Sequence, residues 1–120
     1  MFNLNDSLTY YLCSVAVDMR GGFDRLCGIV RNTMGRDPLS GEVFVFINRS
    51  RTRIKLLHWE RGGLVLYHKR LEHGRISIPK LNQSTGHYHL SWCDLVLMVE
   101  GVSLNRIIRK KRYNIPHKTA

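Results

Sequence analysis

Glu42-Val43-Phe44-Val45-Phe46-Ile47 is a compact apolar run, and Thr52-Arg53-Ile54-Lys55-Leu56-Leu57-His58-Trp59-Glu60 follows it across residues 48–51. The first run is rich in β-branched and aromatic residues and reads as a strand buried on both faces or nearly so. In the second, side chains alternate: Ile54, Leu56 and His58 fall on one face, Arg53, Lys55, Leu57 and Trp59 on the other. Residues 48–51 can close the two into a hairpin. A sheet is therefore the centre of the fold, and the rest of the chain is read outward from it.

Downstream, Arg61-Gly62-Gly63 turns the chain into a further strand over 64–71, and Ile76 and Ile78 alternate in a short last strand ending at Pro79. Upstream, Arg36-Asp37-Pro38-Leu39-Ser40-Gly41 is turn chemistry, because proline presets φ and glycine allows φ > 0. Residues 10–17, Tyr-Tyr-Leu-Cys-Ser-Val-Ala-Val, read as a first strand. After it, Met19, Phe23, Leu26, Cys27, Val30 and Met34 recur at helical spacing, and Gly35 supplies a stop. Asp18 is a plausible N-cap for that helix. Gly21 and Gly22 in its first turn would cost up to ~1 kcal/mol each. Either something approaches the backbone closely there, or the helix begins later, near Phe23.

Residues 80–88 are polar and loop-like. Ser91 with Asp94 three residues on resembles a capping box. It opens a helix through Leu95, Val96, Leu97, Met98 and Val99, closed by Gly101. Apart from Glu100 this helix is apolar all round, so it belongs against the sheet or a partner. The expected fold is α+β: an antiparallel meander of four to five strands, one helix after the first strand and one at the C-terminal end. One domain spans 8–104, and 105–120 form a basic tail.

The chain has 120 residues, with nineteen Lys+Arg against nine Asp+Glu and a formal charge of +10. Two segments account for that excess. Residues 49–55 carry Arg49, Arg51, Arg53 and Lys55 without an acid, and residues 105–120 carry Arg106, Arg109, Lys110, Lys111, Arg112 and Lys118, again without one. Such patches attract polyanions, because each neutralised phosphate releases a condensed counterion. If the strand over 52–60 is regular, Arg53, Lys55 and Trp59 share a face. Adding Tyr67, Lys69 and Arg70 from the next strand would give a surface mixing cations and aromatic rings, as in sheet platforms for single-stranded nucleic acid. The alternative is that Trp59 and Tyr67 pack under a helix with the cations at the rim.

Other chemistries find little support. His87, His89 and Cys93 are three possible ligands within seven residues, but no second Cys or His pair stands at finger-like spacing, so no metal is expected. The carboxylates are few, and Asp18, Asp37 and Asp94 read as caps or turn residues, so catalysis is not expected either. Cys13, Cys27 and Cys93 are scattered and odd in number, which fits thiols in a reducing cytoplasm. No apolar run approaches the ~18–20 residues that span a bilayer, and residues 1–7 lack the pattern of a secretory signal, so no membrane role is expected.

Taken together, the strings Asp18-Met19-Arg20-Gly21-Gly22-Phe23, Asp37-Pro38-Leu39-Ser40-Gly41-Glu42-Val43-Phe44-Val45-Phe46, Ile54-Lys55-Leu56-Leu57-His58-Trp59 and Lys69-Arg70-Leu71-Glu72-His73-Gly74 with Pro79 occur in an order that resembles a known family. It is similar to the small TnpB-type accessory protein of bacterial insertion sequences that encode a separate large transposase, not to the RNA-guided nuclease sharing that label. Leu90-Ser91 and residues 95–102 fit the closing helix of the family, and the likeness runs from about Tyr10 to Val102. It marks Asp18, Met19, Arg20, Gly22, Phe23, Asp37, Pro38, Ser40, Gly41, Lys55, Trp59, Lys69, Arg70 and Glu72, without giving them roles. Asp18-Met19-Arg20 can equally build a site or fix a strand-to-helix corner. The resemblance implies a non-enzymatic, cytoplasmic accessory that assists transposition. DNA, with the element ends first, and the transposase are the expected partners, and no cofactor is expected. An adaptor that binds the transposase or itself without touching DNA is the alternative.

Overall fold

The computed structural model describes residues 4–79 and 86–100. Its elements are β1 (Tyr10–Cys13), α1 (Phe23–Asn32), β2 (Val43–Ile47), β3 (Arg53–Glu60), β4 (Gly63–Arg70), β5 (His87–Leu90) and α2 (Trp92–Glu100). The strands form one sheet in the order β4-β3-β2-β1-β5. The α+β class is as the sequence predicts, with a helix after the first strand and one at the end.

The connectivity departs from a plain meander. β2, β3 and β4 are consecutive antiparallel neighbours, but β1 pairs with β2 in parallel. The reason is the crossover through α1: a helix between two strands returns the chain to the starting edge, where only parallel pairing is open to it. β5 then adds antiparallel to the other side of β1. It arises from residues 87–90, at the end of the stretch that reads as loop. The expected strand around Ile76 and Ile78 is irregular instead. Ile76 is buried, and its N–H donates to Arg51 O at 2.7 Å, so this segment closes over the hairpin rather than joining the ladder.

β2 is the central strand and buried at all five positions, as its unbroken apolar run requires. Its odd-numbered residues Val43, Val45 and Ile47 join Tyr10, Leu12, Ile54 and Leu56 in the layer under Leu95 and Met98 of α2. Phe44 and Phe46 point the other way and pack with Leu57 against Leu26, Cys27 and Val30 of α1. Each helix thus covers one face of the sheet. α1 starts at Phe23, with Gly22 as its N-cap, which settles the later of the two possible starts. At its far end Gly35 sits at φ +67, and the N–H of Arg36 reaches back to Val30 O at 3.0 Å. The backbone of Thr33 there lies so close to Gly86 (φ +84) that a Cβ at position 86 would collide with its carbonyl. α2 opens as expected, with Ser91 Oγ accepting from the Asp94 N–H at 3.0 Å. The expected closure at Gly101, the domain limit at 104 and the basic tail lie outside the described residues.

Candidate nucleic-acid interface

Between β1 and α1 the chain turns through Asp18, Met19, Arg20 and Gly21. Met19 is buried, and the Asp18 carboxylate binds its neighbour twice over. It accepts the Arg20 backbone N–H at 2.9 Å, and the guanidinium donates to it from Nε at 3.1 Å and from Nη2 at 2.6 Å. The Arg20 guanidinium and then its backbone N–H hold the Asp18 carboxyl far below the usual carboxylate range. From beneath, Lys55 of β3 reaches the same corner: its Nζ donates to Met19 O and to Gly21 O, each at 2.7 Å. Lys55 is only 5% exposed. Burial, and then the Arg53 charge, push its pKa down. The close approach that the glycine pair suggests is therefore real at Gly21. Its carbonyl carries the buried ammonium, and a Cβ there would strike the Arg25 side chain.

Beside the corner stands the β2–β3 hairpin. Asn48 ties it: Oδ1 accepts from the N–H groups of Thr52 at 2.9 Å and Arg53 at 3.0 Å, while Nδ2 donates to Ser50 and Thr52, each at 3.2 Å. Corner and hairpin enclose an open cleft of about 730 Å³. Arg20, Arg25, Arg49 and Arg53 line it, and Asp18 is the one acid among its lining residues. The Arg25, Arg49 and Arg53 guanidiniums make no hydrogen bond or ion pair among the described residues. Arg51, at φ +59, faces a second recess shared with Arg49, Ile78 and Tyr88.

The structure thus divides the expected basic run. Arg49 and Arg53 come together in the cleft, Arg51 stands next to it, and the Lys55 ammonium is turned inward and committed to the corner. The expected platform on β3 and β4 is divided as well. The register pairs Leu56 with Tyr67 and Ile54 with Lys69, which puts Tyr67 and Lys69 on the α2 face, away from Arg53. Tyr67 packs in that layer, and Lys69 Nζ donates to Val99 O at 2.7 Å, capping a helix whose last turn has no cation of its own. Arg70 does share the Arg53 face, directly opposite it across the ladder, and pairs with the exposed Glu72 at 2.9 Å. Like charges so opposed repel. His68 lies in a further recess with Arg53, Arg70 and Glu72, and burial followed by the Lys55, Arg53 and Arg70 charges push its pKa down. Trp59 is half-buried opposite Leu64. Arg106, Arg109, Lys110, Lys111 and Arg112 lie outside the described residues.

Arg25 escapes a reading of the sequence by charge runs, because it stands alone in an amphipathic helix. The usable signal is its place one turn from the Arg20-Gly21-Gly22 corner. The second marked string, around Asp37 to Glu42, builds a turn. Asp37 Oδ1 accepts the Leu39 N–H at 2.9 Å, and Ser40 Oγ donates to Glu42 at 3.0 Å. Arg36 clamps the same carboxylate at 2.7 Å while its guanidinium stacks 4.2 Å over the Tyr11 ring. Gly41 O accepts from the buried His58 Nε2 at 3.1 Å, and Nδ1 of that ring lies 3.1 Å from Glu60. His87 and His89 both meet Tyr11 edge-on in β5, and Cys93 is exposed on α2. Among the described residues no group of three His, Cys, Asp or Glu is placed to hold a metal. Burial pushes the Cys13 and Cys27 thiols up, away from the reactive thiolate. No helix among the described residues is long and apolar enough to cross a membrane.

The profile of the IS66 Orf2-like proteins, TnpB_IS66, matches residues 8–109. The chain belongs to that family. As a family member it is an accessory protein of an insertion sequence. Two curated relatives are similar over most of its length, both from Sinorhizobium fredii (strain NBRC 101917 / NGR234). The uncharacterized protein y4jC is 29% identical over 110 residues, covering 92% of each chain. The uncharacterized protein y4hO is 28% identical over 102 residues, 85% of this chain and 87% of the relative. No solved structure matches the chain. The family region includes the corner, both marked turns and the cleft, and it reaches Arg106 and Arg109.

Proposed function

We propose that this family member is a non-enzymatic accessory that assists transposition by binding DNA through its basic patches. The observation that carries the reading is the set of guanidiniums at the hairpin end of the sheet. Arg49, Arg51 and Arg53 project there without a carboxylate partner among the described residues. A structural role would have matched them, as Arg36 is matched to Glu42. The cations of the tail add to the same field by charge alone. Arg70 extends it along β4, whereas Lys55 and Lys69 support it from within the fold.

The test is a fluorescence-anisotropy titration of the full chain against duplexes with element-end and unrelated sequence. With about six phosphates contacted, log K should fall with log salt at a slope near −5. Binding that is absent, or indifferent to salt, would dispose of the DNA reading.

A second reading, an adaptor for the transposase or for another copy of the chain, is favoured by one feature. An apolar hollow of about 290 Å³ beside α2 is lined by Leu56, Tyr67, Trp92, Leu95, Val96 and Val99. Co-purification with the transposase that persists in high salt, and survives loss of the hairpin arginines, would favour that reading. A cytoplasmic protein at the nucleoid goes with the first reading.

A further inference from the structure

We propose that the cleft between the Asp18–Gly21 corner and the β2–β3 hairpin grips the phosphodiester backbone of duplex DNA, with Arg20 and Arg25 binding phosphate opposite Arg49 and Arg53. The inference rests on the DNA reading above and adds to it a site, two residues and a mode of recognition.

Three observations carry it. The cleft collects four arginines from two stretches of chain far apart in sequence, against one lining carboxylate. Folding brings these like charges together, and a bound polyanion is what would repay their repulsion. Next, Arg20 is already in an anion-binding posture. Its Nε and Nη2 edge holds the two Asp18 oxygens as it would hold two phosphate oxygens, and its side chain remains 91% exposed with further N–H donors free. Finally, both walls are set before any ligand arrives: the hairpin by the four Asn48 side-chain bonds, the corner by Lys55 from below. Pre-ordered walls reduce the entropy lost on binding.

The composition of the lining also selects the kind of nucleic acid. No aromatic ring among the described residues lines the cleft, so unstacked bases of a single strand have nothing there to lie on. The amide of Asn48, the side chain there suited to reading adenine, is consumed by the turn. The guanidiniums that are left suit phosphate oxygens, and duplex backbone contact is the mode this lining favours.

The experiment compares two charge-matched double variants of the full chain, Arg20→Gln with Arg25→Gln and Arg31→Gln with Arg61→Gln. Arg31 in the last turn of α1 and Arg61 at the β3–β4 turn are exposed, lie outside the cleft and serve as controls. Each is titrated with a short duplex and with a single strand of the same sequence, and circular dichroism melts verify folding. The cleft variant should bind the duplex about tenfold more weakly, with the salt slope reduced by about two units, and the control should lose less than about threefold. Equal losses in both variants, or no loss in the cleft variant, would overturn the site while leaving DNA binding intact. A wild-type preference for the single strand would overturn the duplex assignment. A wild-type chain that binds neither would remove the DNA reading and the site together.

Discussion

The two ends of β3 treat charge in opposite ways. They lie about 23 Å apart at ~3.3 Å per residue. At the end next to the β3–β4 turn the charges are matched, the exposed Arg61 of the turn itself excepted. Arg36 closes on Glu42, Ser40 adds a hydrogen bond, and His58 is held between Gly41 O and Glu60. At the hairpin end Arg49, Arg51 and Arg53 have no carboxylate partner among the described residues, and Arg53 faces Arg70 across the ladder. Lys55, two residues into the strand, belongs to the matched class even so, since backbone carbonyls satisfy its ammonium. The difference teaches how to sort cations in a basic protein: those held by internal partners with little exposure maintain the fold, and those left over, or still exposed as Arg20 is beside Asp18, are available to a polyanion.

Four measurements can break or sharpen that contrast. The largest effect is expected from Lys55→Met, which leaves the Met19 and Gly21 carbonyls without their charged donor. The loss should be about 2 kcal/mol in urea unfolding, the relief of a buried charge offsetting part of it. A variant as stable as wild type would show that the corner does not depend on β3. Next, Arg49→Gln with Arg53→Gln should weaken duplex binding about tenfold, or ~1.4 kcal/mol, with little change in melting temperature. Arg61→Gln at the other end should change affinity less than about twofold.

Glu42→Gln should behave in the reverse sense, lowering stability by about 1 kcal/mol and leaving DNA affinity alone. Its pH dependence has a definite sign. Chiefly through the Arg36 hydrogen bonds, the folded Glu42 carboxyl sits below its ordinary value. Its contribution is therefore complete above the unfolded value of about 4.3 and is lost as pH falls through the lower folded one. Melts recorded down to about pH 3 should show that loss in wild type and less of it in the variant.

The smallest effect belongs to His68. Burial first, and then three neighbouring cations, keep its imidazole neutral to lower pH than usual. The folded protein thus loses stability as pH falls below the unfolded value of about 6.5. A bound polyanion would reverse the sign of the local field. Duplex affinity should then rise by up to about threefold between about pH 7.5 and 6, and His68→Gln should flatten that rise. An unchanged slope would place the DNA away from β4.

Much of the fold is legible in the sequence, since its elements are set by patterns within reach of one another along the chain. The apolar run 43–47 declares a central strand, the alternation over 53–60 assigns two faces, and Ser91 with Asp94 marks the start of α2. Gly35 marks the end of α1 in the same way. What escapes is non-local. The parallel pairing of β1 with β2 depends on where the crossover returns, and β5 is four residues of polar-looking chain given strand form by the open edge of β1. The candidate site is less legible for the same reason. Counting charges finds Arg49 and Arg53, but whether the neighbouring Lys55 points out or in depends on what packs over that face of the sheet.

By itself, then, the sequence determines which segments are strand or helix, how the cations are distributed along them, and, through its ordered strings, the family to which the chain belongs. Only the tertiary structure decides which cations are spent internally and which converge. The physical reason is that a side chain's face follows from local alternation, whereas its partner is brought from a distance by register and crossover. Met19 and Gly21 meet Lys55 from more than thirty residues away. Arg20 and Arg25 meet Arg49 and Arg53 in the same way, in one cleft at the hairpin end of the sheet.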